Sequence, residues 1–370
     1  MAGEIGIGIV GAGGVARGAH VPGYLSMPDR CRIVAIADIE IERAEALAAE
    51  FDIPHVFDSY EKLLAVDEID AVSVCTHSDF HAPVAIAALE SGRHVMTEKP
   101  MAVDLASARA MVEASHRAKR ILAVDFQTRF IRQAQTMKRF VDAGELGEIY
   151  FARARYVRRR GIPGRQAFHT RAQSGGGALM DIGVHILDTG LWLMGFPVAV
   201  SASGSIFRKL ITQEDLFNPM GDWDRSATDV DESAVGLIKF ANGAAMTLEC
   251  AWGINVGETD FGITLAGDKG GGEVRFAEAQ HAASGSHPVR VFKDTGEMLL
   301  DLIPSSDSAV QFHSSGDPPK PHTLSMQNFV NAIIEGAEPL VTGDQGLITS
   351  TIIDALYRSA ESGHQVDIKL

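Results

Sequence analysis

The sequence predicts an α/β chain in two parts. Residues 1–126 read as a doubly wound parallel sheet, and residues 127–370 as an α+β domain with a large, mostly antiparallel open sheet and flanking helices. Three observations carry this expectation. Short apolar runs alternate with helix-like stretches up to Phe126, as strands joined by helical crossovers do. A glycine-rich turn, Gly11-Ala12-Gly13-Gly14-Val15-Ala16, separates the first run from the first helix. Beyond Phe126 strand-like stretches succeed one another, divided by turn signals such as Asn242-Gly243 and Asp268-Lys269-Gly270.

In chain order, residues 5–10 form a strand and the turn at Gly11 leads into helix-compatible sequence ending near Ser26. The turn fits G-x-G-x-x-G/A between strand and helix, the context in which it binds a dinucleotide. Gly11 permits the tight turn, Gly13 lets a pyrophosphate approach the backbone, and Ala16 allows close helix–strand contact. Amides of Gly14, Val15 and Ala16 at the helix start then face the phosphates, aided by the macrodipole. A second strand, 32–37, ends in Asp38. A carboxylate there accepts hydrogen bonds from ribose hydroxyls and repels a 2′-phosphate, favouring NAD over NADP. A helix N-cap role for Asp38 is the alternative.

Helices over 40–51, 59–66 and 83–91 and strands over 69–75, 94–97 and 121–126 continue the alternation. Asp104 caps a further helix that reaches Lys119. The strand at 94–97 stops in Glu98-Lys99-Pro100, because proline has no N–H for a central ladder. Lys99 therefore sits at the carboxyl edge of the sheet, where open α/β sheets bind ligands.

After Phe126 come a helix over 133–143, a strand over 149–157 and the basic loop Arg158-Arg159-Arg160-Gly161-Ile162-Pro163-Gly164. That loop is either a solvated face or substrate-facing. Ser174-Gly175-Gly176-Gly177 precedes a helix over 178–194 that stops at Gly195. Asp181, His185 and Asp188 are spaced by four and three on this otherwise apolar helix, so they share a face. They are either a structural pair or reaction groups. Strands over 198–207, 232–240, 244–252, 259–266, 272–276 and 288–292 come next, with closing helices over 325–334 and 346–360. The polar stretch 281–313 is unassigned. The open sheet face, rich in Val, Leu, Ala and Trp252, suits packing against a partner subunit.

Composition narrows the partners. A net charge of -15 disfavours nucleic acid and anionic membranes. No window reaches the ~18 uninterrupted apolar residues of a membrane span. The N-terminus lacks a signal-like segment. Cys31, Cys75 and Cys250 are far apart in apolar runs, as reduced core thiols of a cytoplasmic protein are. No Cys/His cluster has metal-ligand spacing, so no metal is expected.

The glycine turn, the stretch from Ala87 through Gly92-Arg93-His94-Val95 to Glu98-Lys99-Pro100, and Gly176-Gly177-Ala178-Leu179-Met180-Asp181-Ile182-Gly183-Val184-His185 occur in one order. In this the chain resembles the Gfo/Idh/MocA oxidoreductases, the family of glucose–fructose oxidoreductase and inositol dehydrogenase. The resemblance implies a Rossmann domain, a nicotinamide cofactor, Lys99 as the catalytic-site lysine, and Asp181 and His185 as the substrate-side pair. It implies that Thr76, His77 and His81 belong to the loop over the nicotinamide ribose and pyrophosphate, with Glu98 and Arg129 also on the cofactor side. In that loop His77 stands where the family commonly has proline. Arg158 and His169 complete the expected substrate-contacting set with Lys99, Asp181 and His185.

The chemistry expected is oxidation of a secondary hydroxyl of a cyclic polyol, an inositol or a pyranose. Either His185 or a neutral Lys99 takes the proton, and the other groups polarise oxygen or hold a neighbouring hydroxyl. An NAD-dependent glycosidase and a non-catalytic NAD-binding regulator are the alternatives. A homo-oligomer, dimer or tetramer, through the open sheet is the expected assembly.

Overall fold

The computed structural model describes residues 4–257, 259–276, 288–304 and 319–369. The chain forms two compact units. The first comprises Met1–Gln127, Arg171–Gly175 and Pro319–Ser350, and the second comprises Thr128–Thr170, Gly176–Pro318 and Thr351–Leu370.

Among the described residues, the first unit is built on a parallel sheet. Its strands are β1 (Ile5–Val10), β2 (Cys31–Ala37), β3 (His55–Phe57), β4 (Ala71–Val74), β5 (His94–Thr97) and β6 (Leu122–Val124), in the order β3-β2-β1-β4-β5-β6. The crossovers are α1 (Val21–Leu25), α2 (Ile41–Phe51), α3 (Tyr60–Leu64), α4 (His81–Glu90) and α5 (Leu105–Ala118). Strand order reverses between β1 and β4, so the ligand crevice of such a sheet opens at their carboxyl ends. Asp104 caps α5, its Oδ1 accepting the Ser107 N–H at 2.7 Å, and Lys119 closes the helix in the left-handed conformation. A π turn, Ala16–His20, precedes α1. It falls just before Pro22, which has no N–H to give to an α-helical ladder. The core unites Ile7, Ile9 and Ile36 of the sheet with Val21 and Tyr24 of α1. It also takes in Met326, Phe329 and Val330 of a later helix.

The second unit holds α6 (Arg132–Asp142) and β7 (Ile149–Val157). The short α7 (Arg171–Ser174) counts with the first unit, and α8 (Val184–Leu193) returns to the second. Then come β8 (Ala199–Phe207), β9 (Ser233–Phe240), β10 (Ala245–Ala251), β11 (Asp260–Gly267), β12 (Gly271–Arg275), β13 (Val289–Thr295) and β14 (Met298–Leu302). The helix of Met326, Phe329 and Val330 is α9 (Pro321–Glu335), and α10 (Gly343–Ser362) and β15 (Val366–Asp367) close the chain. Sheet order is β14-β13-β12-β11-β7-β10-β9-β8-β15. All pairs are antiparallel except β7 with β10, so the sheet is mostly antiparallel, as the sequence leads one to expect.

Alternation along the strands sorts the two sheet faces. Ala152, Ala154, Met246, Leu248, Ile263 and Leu265 are buried. The opposite face differs from the apolar one expected. Arg155 pairs with Glu249 at 3.0 Å, and Arg275 pairs with Asp260 at 3.3 Å and Glu273 at 2.7 Å. Val235, Leu237 and Tyr150 supply exposed apolar surface, but Trp252 is fully buried. The stretch 281–313 contains the β13–β14 hairpin, whose first strand covers most of the expected 288–292 and whose turn residues Gly296 and Glu297 both have positive φ. The rest of that stretch lies outside the described residues.

Arg129, on a 3-10 turn at Gln127–Phe130, meets Asp188 of α8 in a bidentate pair. Its Nε and Nη2 donate to Oδ2 and Oδ1 at 2.7 and 2.6 Å, and both side chains are fully buried. Removing one member of such a pair strands a buried charge. Asp188→Ala should therefore lower unfolding stability by roughly 3–5 kcal/mol. Urea denaturation checks this, and a loss under about 1 kcal/mol would show that the guanidinium is satisfied without Asp188.

Candidate active site

The residues singled out by sequence fall into two groups, one in each unit. In the first unit, parallel strands deliver their carboxyl ends to one edge of the sheet. Gly11 comes after β1 with φ +98°, and a Cβ there would lie 2.6 Å from the Cys75 carbonyl group. At Gly13 a Cβ would meet nothing within 4 Å, so open space lies before the helix that begins at Gly14. Ala16 is fully buried. Asp38, after β2, accepts the Ala12 N–H at 2.7 Å through Oδ2 and the Glu40 N–H at 2.9 Å through Oδ1. It thus bonds residue 40 in a local turn while also anchoring the glycine turn, but it is not the helix N-cap raised as the alternative, since Glu40 takes that place in α2 with no side-chain cap.

The loop after β4 carries half-buried Thr76 and exposed His77. His81, fully buried at the start of α4, contacts the Pro100 and Thr76 carbonyls at 2.7 and 3.1 Å. Burial pushes its pKa down. The neutral ring has one N–H, and the shorter contact to Pro100 is its hydrogen bond. His81 therefore ties the loop after β4 to the residues after β5. Glu98 is buried and its Oε2 accepts the Lys99 N–H at 3.1 Å, while the Lys99 side chain is half-buried.

Sequence reasoning missed three partners of this edge. His20 Nε2 lies 2.9 Å from Glu98 Oε1 and 3.8 Å from Asp125 Oδ2. His322 of α9 contacts Asp125 Oδ2 through Nδ1 at 2.6 Å. The signals were a histidine shortly after a glycine turn and an acid closing a buried strand. Their meeting depends on residues far apart in the chain.

In the second unit a π turn, Leu179–Gly183, carries Asp181 and runs into α8, which carries His185. Asp231, another residue that sequence reasoning missed, holds the start of this segment. Its carboxylate is 1% exposed and accepts N–H groups of Gly177 and Leu179 at 3.0 Å each and the Tyr357 hydroxyl at 2.8 Å. Burial outweighs these donors and raises its pKa. Gly177 has no room for a side chain, since a Cβ would sit 1.8 Å from the Asp231 carbonyl oxygen.

Asp181 Oδ2 accepts the indole N–H of buried Trp252 at 2.8 Å. His169, fully buried, contacts the Pro163 carbonyl at 2.5 Å and stacks on Trp223 at 5.4 Å and 4°. Its ring also lies 6.1 Å from that of Trp252, so His169, Trp252 and Asp181 form one cluster. His185 is buried, with Nδ1 3.5 Å from Thr128 Oγ1. Asp188 gives its carboxylate to Arg129, and the π turn shifts helical phase between Asp181 and α8. Arg158 lies over the Tyr156 ring and donates to its hydroxyl at 2.6 Å. Arg160 donates to the Arg159 carbonyl and to Asn255 at 2.6 and 2.7 Å.

Residues 5–126 match the family model described as oxidoreductase family, NAD-binding Rossmann fold. Residues 134–273 match that of the Gfo/Idh/MocA C-terminal domain. The chain is 33% identical to D-glucoside 3-dehydrogenase of Escherichia coli strain K12 over 98% of this chain and 97% of that protein. It belongs to the Gfo/Idh/MocA oxidoreductase family. A second relative, scyllo-inositol 2-dehydrogenase (NAD(+)) of Bacillus subtilis strain 168, is 26% identical over 95% of this chain and 93% of that protein. The fold is shared with levoglucosan dehydrogenase, solved in complex with NADH and levoglucosan. That structure has a TM-score of 0.84 at 21% identity and full coverage of both chains.

The first group of residues lies within the span that matches the family's NAD-binding Rossmann domain, apart from Arg129. The groups present fit the cofactor. Gly11 makes a turn no side chain tolerates, Gly13 leaves open space beside the helix start, and Asp38 is fixed by two amides. Among the described residues, no helix is long and apolar enough to cross a membrane.

The Asp125–His322 pair has a pH signature. Burial works against charge on both groups, but their mutual contact outweighs it, lowering the Asp125 pKa and raising that of His322. A raised histidine pKa contributes stability that is complete below its unfolded value of about 6.5 and lost as pH rises through the folded value. His322→Gln should therefore be less stable than the parent at acidic-to-neutral pH, with the gap shrinking as pH rises. Urea midpoints measured across pH test this, and a gap constant with pH would contradict it.

Proposed function

We propose that this family member is an NAD-dependent dehydrogenase that oxidises a secondary hydroxyl of a cyclic polyol, an inositol or a pyranose sugar. The observation that carries the reading is the Trp252–Asp181 hydrogen bond at the head of the segment bearing His185, in a chain that also has the Glu98-Lys99-Pro100 motif. The relatives named for glucoside and inositol oxidation support the substrate class.

In this reading Gly11, Gly13, Gly14, Val15, Ala16 and Asp38 hold the dinucleotide, with Thr76, His77, His81 and Glu98 on the same side. Arg129, whose guanidinium is bonded to Asp188, acts through the turn it braces. When bound, the nicotinamide cofactor would supply the acceptor for the hydride leaving the carbinol carbon. His185 receives the hydroxyl proton on its imidazole. Lys99 hydrogen-bonds the same oxygen and stabilises its developing negative charge. Asp181, aimed by Trp252, accepts from the neighbouring hydroxyl. His169 lines the same region. The substrate is uncharged, because Arg158 and Arg160 already donate to the chain's own oxygens.

In this reading residues 1–126 serve the cofactor and 127–370 serve substrate and assembly, with 171–175 and 319–350 counted in the first compact unit. The protein assembles as a homodimer or homotetramer through the open sheet face, where an ion-pair ladder lies beside exposed Val235 and Leu237. A cytoplasmic location fits Cys31, Cys75 and Cys250, which are free and buried.

NAD should support a higher kcat/KM than NADP, and Asp38→Ser should narrow the gap; equal or better use of NADP by the parent would overturn the cofactor assignment. In an NAD-reduction screen over inositols, aldoses and glycosides, neutral ring polyols should outperform their phosphorylated or carboxylated counterparts. On the best of them Lys99→Ala and His185→Ala should each lower turnover by roughly 10²–10⁴-fold with NAD binding retained. Near-parental turnover in either variant removes that residue from the reaction. Glycoside cleavage without net NADH would instead identify a glycosidase.

A further inference from the structure

The π turn before α1 and the carboxyl half of the first unit's sheet bring His20, Ser73, Glu98 and Asp125 together, each less than a tenth exposed. His20 is held from both sides. Its Nδ1 lies 2.6 Å from Ser73 Oγ, which also accepts the Tyr24 hydroxyl at 3.2 Å, and its Nε2 lies 2.9 Å from Glu98 Oε1. The other Glu98 oxygen, Oε2, accepts the backbone N–H of Lys99 at 3.1 Å. The imidazole is thus two hydrogen bonds from the main chain that carries the lysine.

We propose that His20 is a positioning residue for Lys99: its ring fixes the Glu98 carboxylate, and Glu98 fixes the backbone at Lys99. The proposal rests on the catalytic role proposed for Lys99. A glutamate side chain has three rotatable torsions, and a single amide contact leaves its other oxygen free to swing. The buried ring of His20 removes that freedom, because Ser73 sets its orientation.

Charge supports the clamp. Burial alone would strip the proton from His20, but Cys75 and Glu98 beside it outweigh burial and hold its pKa well above the usual value. Asp125, with His322 behind it, and Tyr24 are the other titratable groups around the ring. An imidazolium donates from both nitrogens, to Ser73 and to Glu98, and the Tyr24 and His20 donors then fill both lone pairs of Ser73. The bond to Glu98 is charge-assisted at both ends, which makes it the stronger kind. Ligand atoms of His20, Glu98 and Asp125 lie within 4.8 Å of one another, close enough for a metal ion as well. The clamp needs only the hydrogen bond between His20 and Glu98, which the 2.9 Å distance supplies.

The test uses the full-length protein labelled with ¹⁵N-lysine. In His20→Ala the Lys99 amide should exchange at least about 10-fold faster than in the parent, as a local opening would allow. In His20→Gln, which keeps one donor, protection should be largely restored. Glu98→Gln should lose protection too, and it keeps the test alive if His20→Ala does not fold. On the best substrate His20→Ala should lower kcat by about 10²-fold, the scale of a misplaced catalytic group, with KM for NAD changed far less. In a Lys99→Ala background the same substitution should cost almost nothing, because the two act in series. Unchanged exchange at Lys99, or losses that simply multiply in the double variant, would overturn the clamp. If Lys99→Ala keeps parental turnover while the amide of the His20 variants still responds, the proposed function fails and the clamp stands.

Discussion

Taking a carboxylate out of water costs several kcal/mol unless donors replace its hydration. Glu98, Asp125, Asp188, Asp231 and Glu232 are all nearly inaccessible, and their donors come from different parts of the chain. Glu98 takes His20 and the Lys99 amide; Asp125 takes His322; Asp188 takes Arg129. Asp231 takes two amides and Tyr357, and Glu232 takes the Lys209 and Ile211 amides. Each acid therefore fixes a segment that a hydrophobic contact would leave free to slide. Hydrophobic burial is non-directional, whereas these bonds set angles. That difference makes these buried acids anchors of particular backbone segments rather than fillers of the apolar cores.

The same need for fixed geometry accounts for the two π turns. One, Ala16–His20, delivers His20; the other, Leu179–Gly183, carries Asp181 into the helix of His185. A π turn adds one residue to the helical ring and rotates the residues after it relative to those before it. In the first, Pro22 is the local cause. In the second, Asp231 pins Gly177 and Leu179 at the start while Trp252 holds Asp181 within the turn. Sequence spacing of four between Asp181 and His185 therefore does not carry its ordinary α-helical meaning.

Much of the fold was legible because it rests on local rules. The cap at Asp104, the strand over 149–157 and the glycine turn between strand and helix sit where their residues placed them. What was not legible depends on pairings between distant segments. Three-residue β3 and two-residue β15 are too short to show a period. The parallel pairing of β7 with β10 is set by where the chain returns, not by either strand's composition. Trp252 looked like a sheet-face residue from alternation, but it lies just past the end of β10, where its indole turns to Asp181. Asp231 and His322 carried no local pattern, and the only signal at His20 was its place shortly after the glycine turn, so their contacts exist only in the folded chain.

An acidic protein with a net charge of -15 must bind an anionic cofactor against its overall field. The local arrangement resolves this through backbone donors at the helix start, which carry partial positive charge whatever the side chains do. Asp38 works with that arrangement rather than against it. Each of its oxygens accepts one amide, from Ala12 and from Glu40, and each retains a second lone pair for a ribose hydroxyl. Two amides also prevent the carboxylate from rotating away. A 2′-phosphate approaching that position would meet a fixed negative charge with no route of escape. A free aspartate at a strand end would discriminate less, because it could swing into solvent. On the proposed role of Asp38, discrimination in favour of NAD would come from how rigidly this carboxylate is held as much as from its charge.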